Sequence, residues 1–336
     1  MIRIGILGAT GYTALELLKI LLRHPQVRIT QLTTRDTDSP TVDMVHPLLR
    51  GQLELSLIPF EMNRFVNEVD CAFCCLPHAA SAEVVGPLLD AGIKVVDFSA
   101  DYRLNDVATF EKWYGVTHPD PSRVGQTPYG IPELFREQIC GSSLVANPGC
   151  FPSSALLPLA PLLKQNLLSR SSIIVDSKTG VSGAGRKPNL KFHFPECNES
   201  LTAYGVGTHR HMPEIDHITR RFCDQEIHTV FTPHLVPMDR GILSTIYCQP
   251  NPDTTPANLL DALAEFYRHE PFVRITDQIP GTKDVSGTNF CDITIKRCGE
   301  TIVIVSVLDN LIKGASGAAV QNFNVIHEFP ETMALL

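Results

Sequence analysis

The chain opens with a short apolar stretch, Ile2 to Leu7, passes through Gly8-Ala9-Thr10-Gly11, and enters a stretch patterned as a helix. That helix is expected over Thr13 to Arg23, with Leu15, Leu18 and Leu22 on one face. A buried strand, a glycine turn and an amphipathic helix in this order constrain the fold strongly, because they form the first half of a βαβ unit. The alternation continues. Val27 to Thr33, Cys71 to Leu76 and Lys94 to Phe98 read as strands, and Ser81 to Ala91 as a helix. Strands and helices taking turns imply an α/β domain with a doubly wound sheet and right-handed crossovers.

The glycine turn also carries chemistry. Gly8 permits a tight turn, Gly11 lets backbone approach a pyrophosphate, and Ala14 stands where close helix packing needs only a small residue. A dinucleotide would rest on the N–H groups that open the helix, with Gly8, Thr10, Gly11, Tyr12 and Thr13 as its contacts. The second strand ends at Thr33-Thr34-Arg35-Asp36. Arg35 and the two hydroxyls suit the 2′-phosphate of NADP, whereas Asp36 suits the free 2′-hydroxyl of NAD.

Beyond residue 150 the texture changes. Ile173 to Val175, Val230-Phe231, Leu243 to Tyr247, Cys291 to Ile295 and Ile302 to Val307 are strand-like, with helices only at Pro213 to Arg221 and Pro256 to Arg268. Such runs indicate an α+β domain with a mixed or antiparallel sheet. Residues 101–143, rich in proline, are expected to form a surface excursion, and Gly314 to Glu328 to be helical again. The expected division is a first domain of 1–148 completed by 310–336, and a second domain of 149–309.

Asn147-Pro148-Gly149-Cys150-Phe151-Pro152 lies between the apolar run Leu144 to Ala146 and the helix-like Ser153 to Leu157. A strand, a Pro-Gly turn and a helix would present the Cys150 sulfur at a helix N-terminus, where unpaired N–H groups and the dipole favour a thiolate. A thiolate that attacks a carbonyl needs a proton partner, and Thr208-His209-Arg210-His211-Met212-Pro213 supplies two histidines just before a helix. Sequence alone does not choose between His209 and His211. Lys178 to Lys187, containing Ser182, Gly183 and Arg186, suits an anionic group or a carboxamide. Arg240, in Asp239-Arg240-Gly241, offers a guanidinium to a substrate carboxylate.

Composition removes other classes. A net charge of −8 speaks against nucleic acid as a partner. No run approaches the roughly 18 apolar residues of a membrane span. The N-terminal run lacks the cleavage site of an export signal, so a cytoplasmic protein with reduced cysteines is expected. Cys71 and Cys74 have no second pair at zinc-binding distance, so they read as a buried strand and no metal is implied.

Together these segments resemble the N-acetyl-γ-glutamyl-phosphate reductase family, within the wider group of aspartate-semialdehyde and glyceraldehyde-3-phosphate dehydrogenases. The resemblance runs nearly end to end. It rests on residues 8–13, Asp97 to Leu104, Tyr129 to Leu134, Asn147 to Cys150, Ser182 to Arg186, His209 to His211, Thr232 to Met238 and Asp309 to Gly317. Ser153 and Ala14 depart from the family pattern, both conservatively. The resemblance implies a Rossmann-type NADP-binding domain and an α+β catalytic and dimerisation domain with a mixed sheet. It implies NADP(H)-dependent reduction of an acyl phosphate through a Cys150 thioester, with His209 or His211 as acid/base partner. Asn310 and the Ser182-Gly183 turn would lie near the nicotinamide, and Arg103, Asn147, Arg186 and Arg240 near the substrate. It further implies a homodimer or homotetramer joined through the second domain's sheet.

Two other readings compete. One is a reductase of a longer acyl phosphate, as in aminoadipate-based lysine synthesis. The other is a noncatalytic NADP-binding regulator, which would have no use for a thiol opposite a histidine. A short-chain-type epimerase is disfavoured, because Tyr102, Tyr114, Tyr129, Tyr204 and Tyr267 lack Lys at the required spacing.

Overall fold

The computed structural model describes residues 1–35, 38–224 and 226–336. They divide into two compact units, one of Met1–Pro148 with Ala315–Leu336 and one of Gly149–Gly314. The second unit thus runs to Gly314, beyond the expected 309.

The first unit is built on six strands: β1 (Ile2–Leu7), β2 (Val27–Thr33), β3 (Leu57–Ile58), β4 (Cys71–Cys74), β5 (Lys94–Asp97) and β6 (Leu144–Ala146). They are all parallel and lie in the order β3-β2-β1-β4-β5-β6. The order reverses between β1 and β4, and such sheets bind ligands beyond the carboxyl ends of the strands at that point. Cys71 and Cys74 are buried in β4, and burial pushes the Cys71 thiol up to about 12. The CxxC spacing is therefore core.

Residues 101–143 differ from the expected surface excursion. They form helices at Val107–Tyr114 and Pro132–Ile139 and bury Tyr102, Phe110 and Tyr129. The aromatic residues supply apolar area that the short β6 cannot. The terminal helix, Gly317–Ile326, packs Phe323 against Phe73 at 5.7 Å between ring centroids. Asn324 Oδ1 meets His24 Nε2 at 2.9 Å.

The second unit adds β7 (Ile173–Thr179), β8 (Thr202–Ala203), β9 (Thr229–Leu235), β10 (Ile242–Cys248), β11 (Val273–Ile275), β12 (Cys291–Cys298) and β13 (Thr301–Leu308). Their order is β11-β12-β13-β10-β7-β9-β8. Two pairs are parallel and the others antiparallel, so the sheet is mixed. Alternate residues of β7, β9 and β10 are buried, because one sheet face packs on the helices Cys150–Lys164 and His211–Cys223.

The Cys150–Lys164 helix runs unbroken through Pro158 and Pro161. Pro161 cannot donate to the carbonyl of Leu157, four residues earlier; the Tyr267 hydroxyl donates to that oxygen instead. Three buried hydroxyls then pin the helix to the sheet. Ser154 Oγ lies 2.7 Å from Ser244 Oγ, which lies 2.6 Å from Ser177 Oγ.

Candidate active site

Cys150 is the first residue of its helix, with Gly149 as the extended N-cap. The sulfur therefore stands beside the N–H groups of a first helical turn, which have no intrahelical partners. Serine side chains fix the turn, since Ser153 Oγ donates to the carbonyl of Gly149 at 3.0 Å. The Gly149 N–H donates at 2.8 Å to Oε1 of Glu214, a buried carboxylate from the first turn of the helix His211–Cys223. Sequence reasoning missed Glu214. Its signal was an acidic side chain just after Pro213, three residues beyond His211.

Cys150, His209 and His211 line one cavity of about 840 Å³. The His209 ring is held edge-on by Phe151, Tyr204 and Phe231, with centroids 5.3 to 5.6 Å away. Its Nδ1 accepts the backbone N–H of His211 at 3.1 Å. In the neutral ring the proton therefore sits on Nε2, which is a donor. Burial first, and then the Arg210 charge, push the His209 pKa down to about 4. The ring is a neutral donor at physiological pH.

Tyr204, also missed, lines the same cavity. Burial, and next the charge of Cys150, raise its hydroxyl pKa, so it stays a protonated phenol. It sits in a short, nonperiodic segment that offered no pattern to read.

Elsewhere in the second unit, Ser182 opens toward Asn310. The Asn310 side chain donates to Ser182 Oγ at 3.1 Å and accepts the Gly241 N–H at 2.7 Å. Gly183 and Thr179 lie on the cavity wall. Arg186 is exposed. Arg240 is engaged by acidic neighbours: Nη1 lies 3.6 Å from Oδ2 of the fully buried Asp309, and Nε lies 3.6 Å from Asp239. The expected free guanidinium is thus a structural partner of Asp309.

In the first unit, Gly8 follows β1 with φ +80°, and Gly11 is the extended N-cap of the helix Tyr12–Leu21. A β-carbon on Gly8 would stand 2.5 Å from the Cys75 carbonyl oxygen. One on Gly11 would meet nothing within 4 Å, so open space faces the helix N-terminus where Tyr12 and Thr13 begin. These residues fit a pyrophosphate. The Thr10 side chain is half-buried in the same turn, and Arg35 is exposed just after β2. Asp36, the opposing signal, lies outside the described residues.

Asn147 corrects an expectation. It is fully buried; its side chain donates to the Ala315 carbonyl at 3.0 Å and accepts from Asn322 at 3.1 Å. Both ends of the amide are used within the first unit, so Asn147 positions the turn and is not a substrate ligand. Arg103 is likewise turned inward, nearly buried, and donates to the Phe98 carbonyl at 2.6 Å. The motif around it serves the fold. Asp97 accepts from the Ser81 and Ser99 hydroxyls, and burial holds its pKa up at about 6.

Comparison with known proteins gives this geometry a family. The semialdehyde dehydrogenase NAD binding domain matches residues 3–142, and the semialdehyde dehydrogenase dimerisation domain matches residues 150–310. The whole chain is 48% identical to the N-acetyl-gamma-glutamyl-phosphate reductase of Rhodopirellula baltica, covering 98% of it. It is 46% identical to the protein of the same name from Geobacter metallireducens, again covering 98%. Among solved structures it is similar to aspartate semialdehyde dehydrogenase II from Vibrio cholerae complexed with ASA, with TM-score 0.73, 16% identity and 98% of each chain covered. It is also similar to aspartate semialdehyde dehydrogenase with NADP from Candida albicans, with TM-score 0.72, 15% identity, and 97% of this chain and 98% of that one covered. At these identities the two structures bear on the fold alone.

Proposed function

This chain belongs to the N-acetyl-gamma-glutamyl-phosphate reductase family, and we propose that it performs the reaction in that name: reduction of N-acetyl-L-glutamyl 5-phosphate to the 5-semialdehyde with NADPH, a step of arginine biosynthesis. The observation that carries this reading is Cys150 at the start of its helix, sharing one cavity with a half-buried, neutral His209.

The Cys150 thiolate attacks the acyl carbonyl, the bond to the phosphate oxygen breaks, and inorganic phosphate leaves behind a thioester. The oxygen of the tetrahedral intermediate gains negative charge. The first-turn N–H groups and His209 Nε2–H are the donors that stabilise it; a neutral imidazole can serve as electrophile in this way. Bound NADPH supplies the hydride that reduces the thioester carbon. The resulting tetrahedral oxyanion, held by the same donors, re-forms its C=O bond as the carbon–sulfur bond breaks, so the aldehyde leaves and Cys150 returns as thiolate. Gly8, Thr10, Gly11, Tyr12 and Thr13 are the residues we assign to the pyrophosphate, Arg35 to the 2′-phosphate, and Ser182, Gly183 and Asn310 to the nicotinamide side. His211 is the second histidine of the site. Its N–H holds His209 Nδ1 and thereby fixes the tautomer.

We further read the open face of the second unit's sheet as the contact between two copies of the chain, and the cytoplasm as the compartment. No helix among the described residues is long and apolar enough to cross a membrane. The relatives at 46–48% identity all carry the N-acetylglutamyl name, so the longer lysine-pathway substrate is not favoured. Purified protein given both acyl phosphates with NADPH tests the reading. The N-acetylglutamyl compound should be the better substrate, and Cys150→Ala should abolish turnover while NADPH still binds. Full activity in that variant would refute the thioester.

A further inference from the structure

The cavity that contains Cys150 has one lysine or arginine on its wall, Lys191. Lys191 sits in the tight turn Leu190–Phe192, which Asn189 secures by accepting the Lys191 N–H on its side-chain oxygen at 3.0 Å. The turn therefore has a defined backbone from which a long aliphatic stem reaches out. Among the described residues the ammonium has no ion pair or hydrogen bond. Glu196, the acidic residue on the wall, forms no ion pair with it. The alternative cations do not serve: Arg240 is paired with Asp309, and Arg186 lies outside the cavity lining.

The reading above gives the substrate two anionic ends. The phosphoryl end departs at Cys150. The α-carboxylate, separated from the reacting carbonyl by three carbons, remains in substrate and product alike. A carboxylate drawn into a partly enclosed cavity needs a charged or strongly donating partner, or it loses solvation without return. We propose that Lys191 is a specificity residue that holds the α-carboxylate of the acyl substrate while Cys150 attacks the distal carbonyl. The inference rests on the reaction proposed above.

The reverse reaction isolates this contact, because in N-acetylglutamate semialdehyde the carboxylate is the only charge. Lys191→Gln should raise KM for the semialdehyde by about 10- to 100-fold, the range of a charge-assisted hydrogen bond, with kcat within about twofold. Lys191→Arg should restore most of the loss, and KM for phosphate and for NADP should not move. The methyl ester of the same semialdehyde should bind wild type and Lys191→Gln equally weakly. Equal proportional losses on acid and ester would mean a structural role and would overturn the assignment, as would an unchanged KM. A rise confined to the KM for phosphate would place Lys191 at the leaving group instead. If wild type turns over no N-acetylglutamate semialdehyde at all, the reaction itself is wrong and this assignment falls with it. If wild type is active and Lys191→Gln is indistinguishable from it, only the assignment falls.

Discussion

Gly314 lies directly against Cys150: a β-carbon at Gly314 would stand 2.8 Å from the nucleophile's β-carbon and 3.2 Å from its α-carbon. Gly314 belongs to the π-helical turn Ile312–Ser316, and its N–H donates to the Asp309 carbonyl at 2.9 Å. π-Turns are short departures from helical regularity that recur at functional sites. Here the departure brings a residue without a side chain up against the α- and β-carbons of the reacting cysteine.

Gly314→Ala should therefore move Cys150 and not simply add bulk. Displacement of a reacting atom by about 1 Å costs roughly 100-fold in rate, and overpacking costs about 1–3 kcal/mol. We expect kcat to fall by about two orders of magnitude while the melting temperature drops by only a few degrees. Steady-state kinetics beside a thermal melt would check this, and wild-type kcat would show that the helix start yields without consequence.

His209 gives a pH signature. With its pKa near 4, it contributes no ionisation near 6.5 to the pH dependence of kcat/KM. Its stability term has a definite sign. The unfolded chain takes up the imidazole proton below about 6.5 and the folded chain only below about 4. The contribution is complete above pH 6.5 and is lost as pH falls toward 4. His209→Phe keeps the aromatic packing with Phe151 and Phe231 but removes the titration. It should lower kcat by about 10²–10⁴. Its urea midpoint relative to wild type should rise as pH falls from 6.5 to 4. A constant difference across that window would contradict the half-buried, neutral ring.

The two glycines of the first turn should respond differently. Gly8 has φ +80° and a carbonyl 2.5 Å from any added β-carbon, so Gly8→Ala must strain the backbone or open β1 from the Cys75 loop. A loss of a few kcal/mol in stability is expected together with loss of NADPH binding. At Gly11, φ is −80° and the added methyl meets no protein atom, so Gly11→Ala should melt like wild type. It should nevertheless bind NADPH at least about tenfold more weakly, because the methyl projects into the space assigned to the pyrophosphate. Thermal melts and fluorescence titrations on both variants separate the two effects. Wild-type affinity in Gly11→Ala would remove the turn from the binding site.

Legibility in the sequence followed periodicity. The strand Val27–Thr33 emerges with its expected ends, and Ile242–Cys248, whose burial alternates residue by residue, within a residue. Cys150 was readable because Pro-Gly before a helix fixes where the sulfur must stand. The segment between Gly185 and His209 was not readable in the same way. Its turns are three or four residues long, and β8 is two, so neither a 2.0 nor a 3.6 period can develop. Tyr204 and Lys191 sit there. The helix-like stretch Ser153 to Leu157 runs on to Lys164 for another reason: proline ends most helices, but here a tyrosine hydroxyl from 110 residues away takes up the carbonyl that Pro161 abandons. Asn147 and Arg103 carried family-specific residue types whose inward direction no pattern encodes.

The exposed face of the second sheet predicts assembly. Val230, Ile174 and Tyr247 are neighbours across three strands, with Val230 paired to Ile174 and Ile174 to Tyr247. They remain 56%, 39% and 36% exposed, while the alternate residues of the same strands are buried. A contiguous apolar row on a sheet face marks an interaction surface, and the region that contains it matches a dimerisation domain. A self-complementary contact between two copies places the row of one against the row of the other. Val230→Asp puts two like charges into that contact and leaves the packed face untouched. We expect it to weaken association by at least about 100-fold, since an unpaired buried carboxylate costs several kcal/mol, while circular dichroism stays at wild type. Sedimentation equilibrium on both proteins reads this directly. A Val230→Asp chain that sediments as wild type would move the interface away from this face.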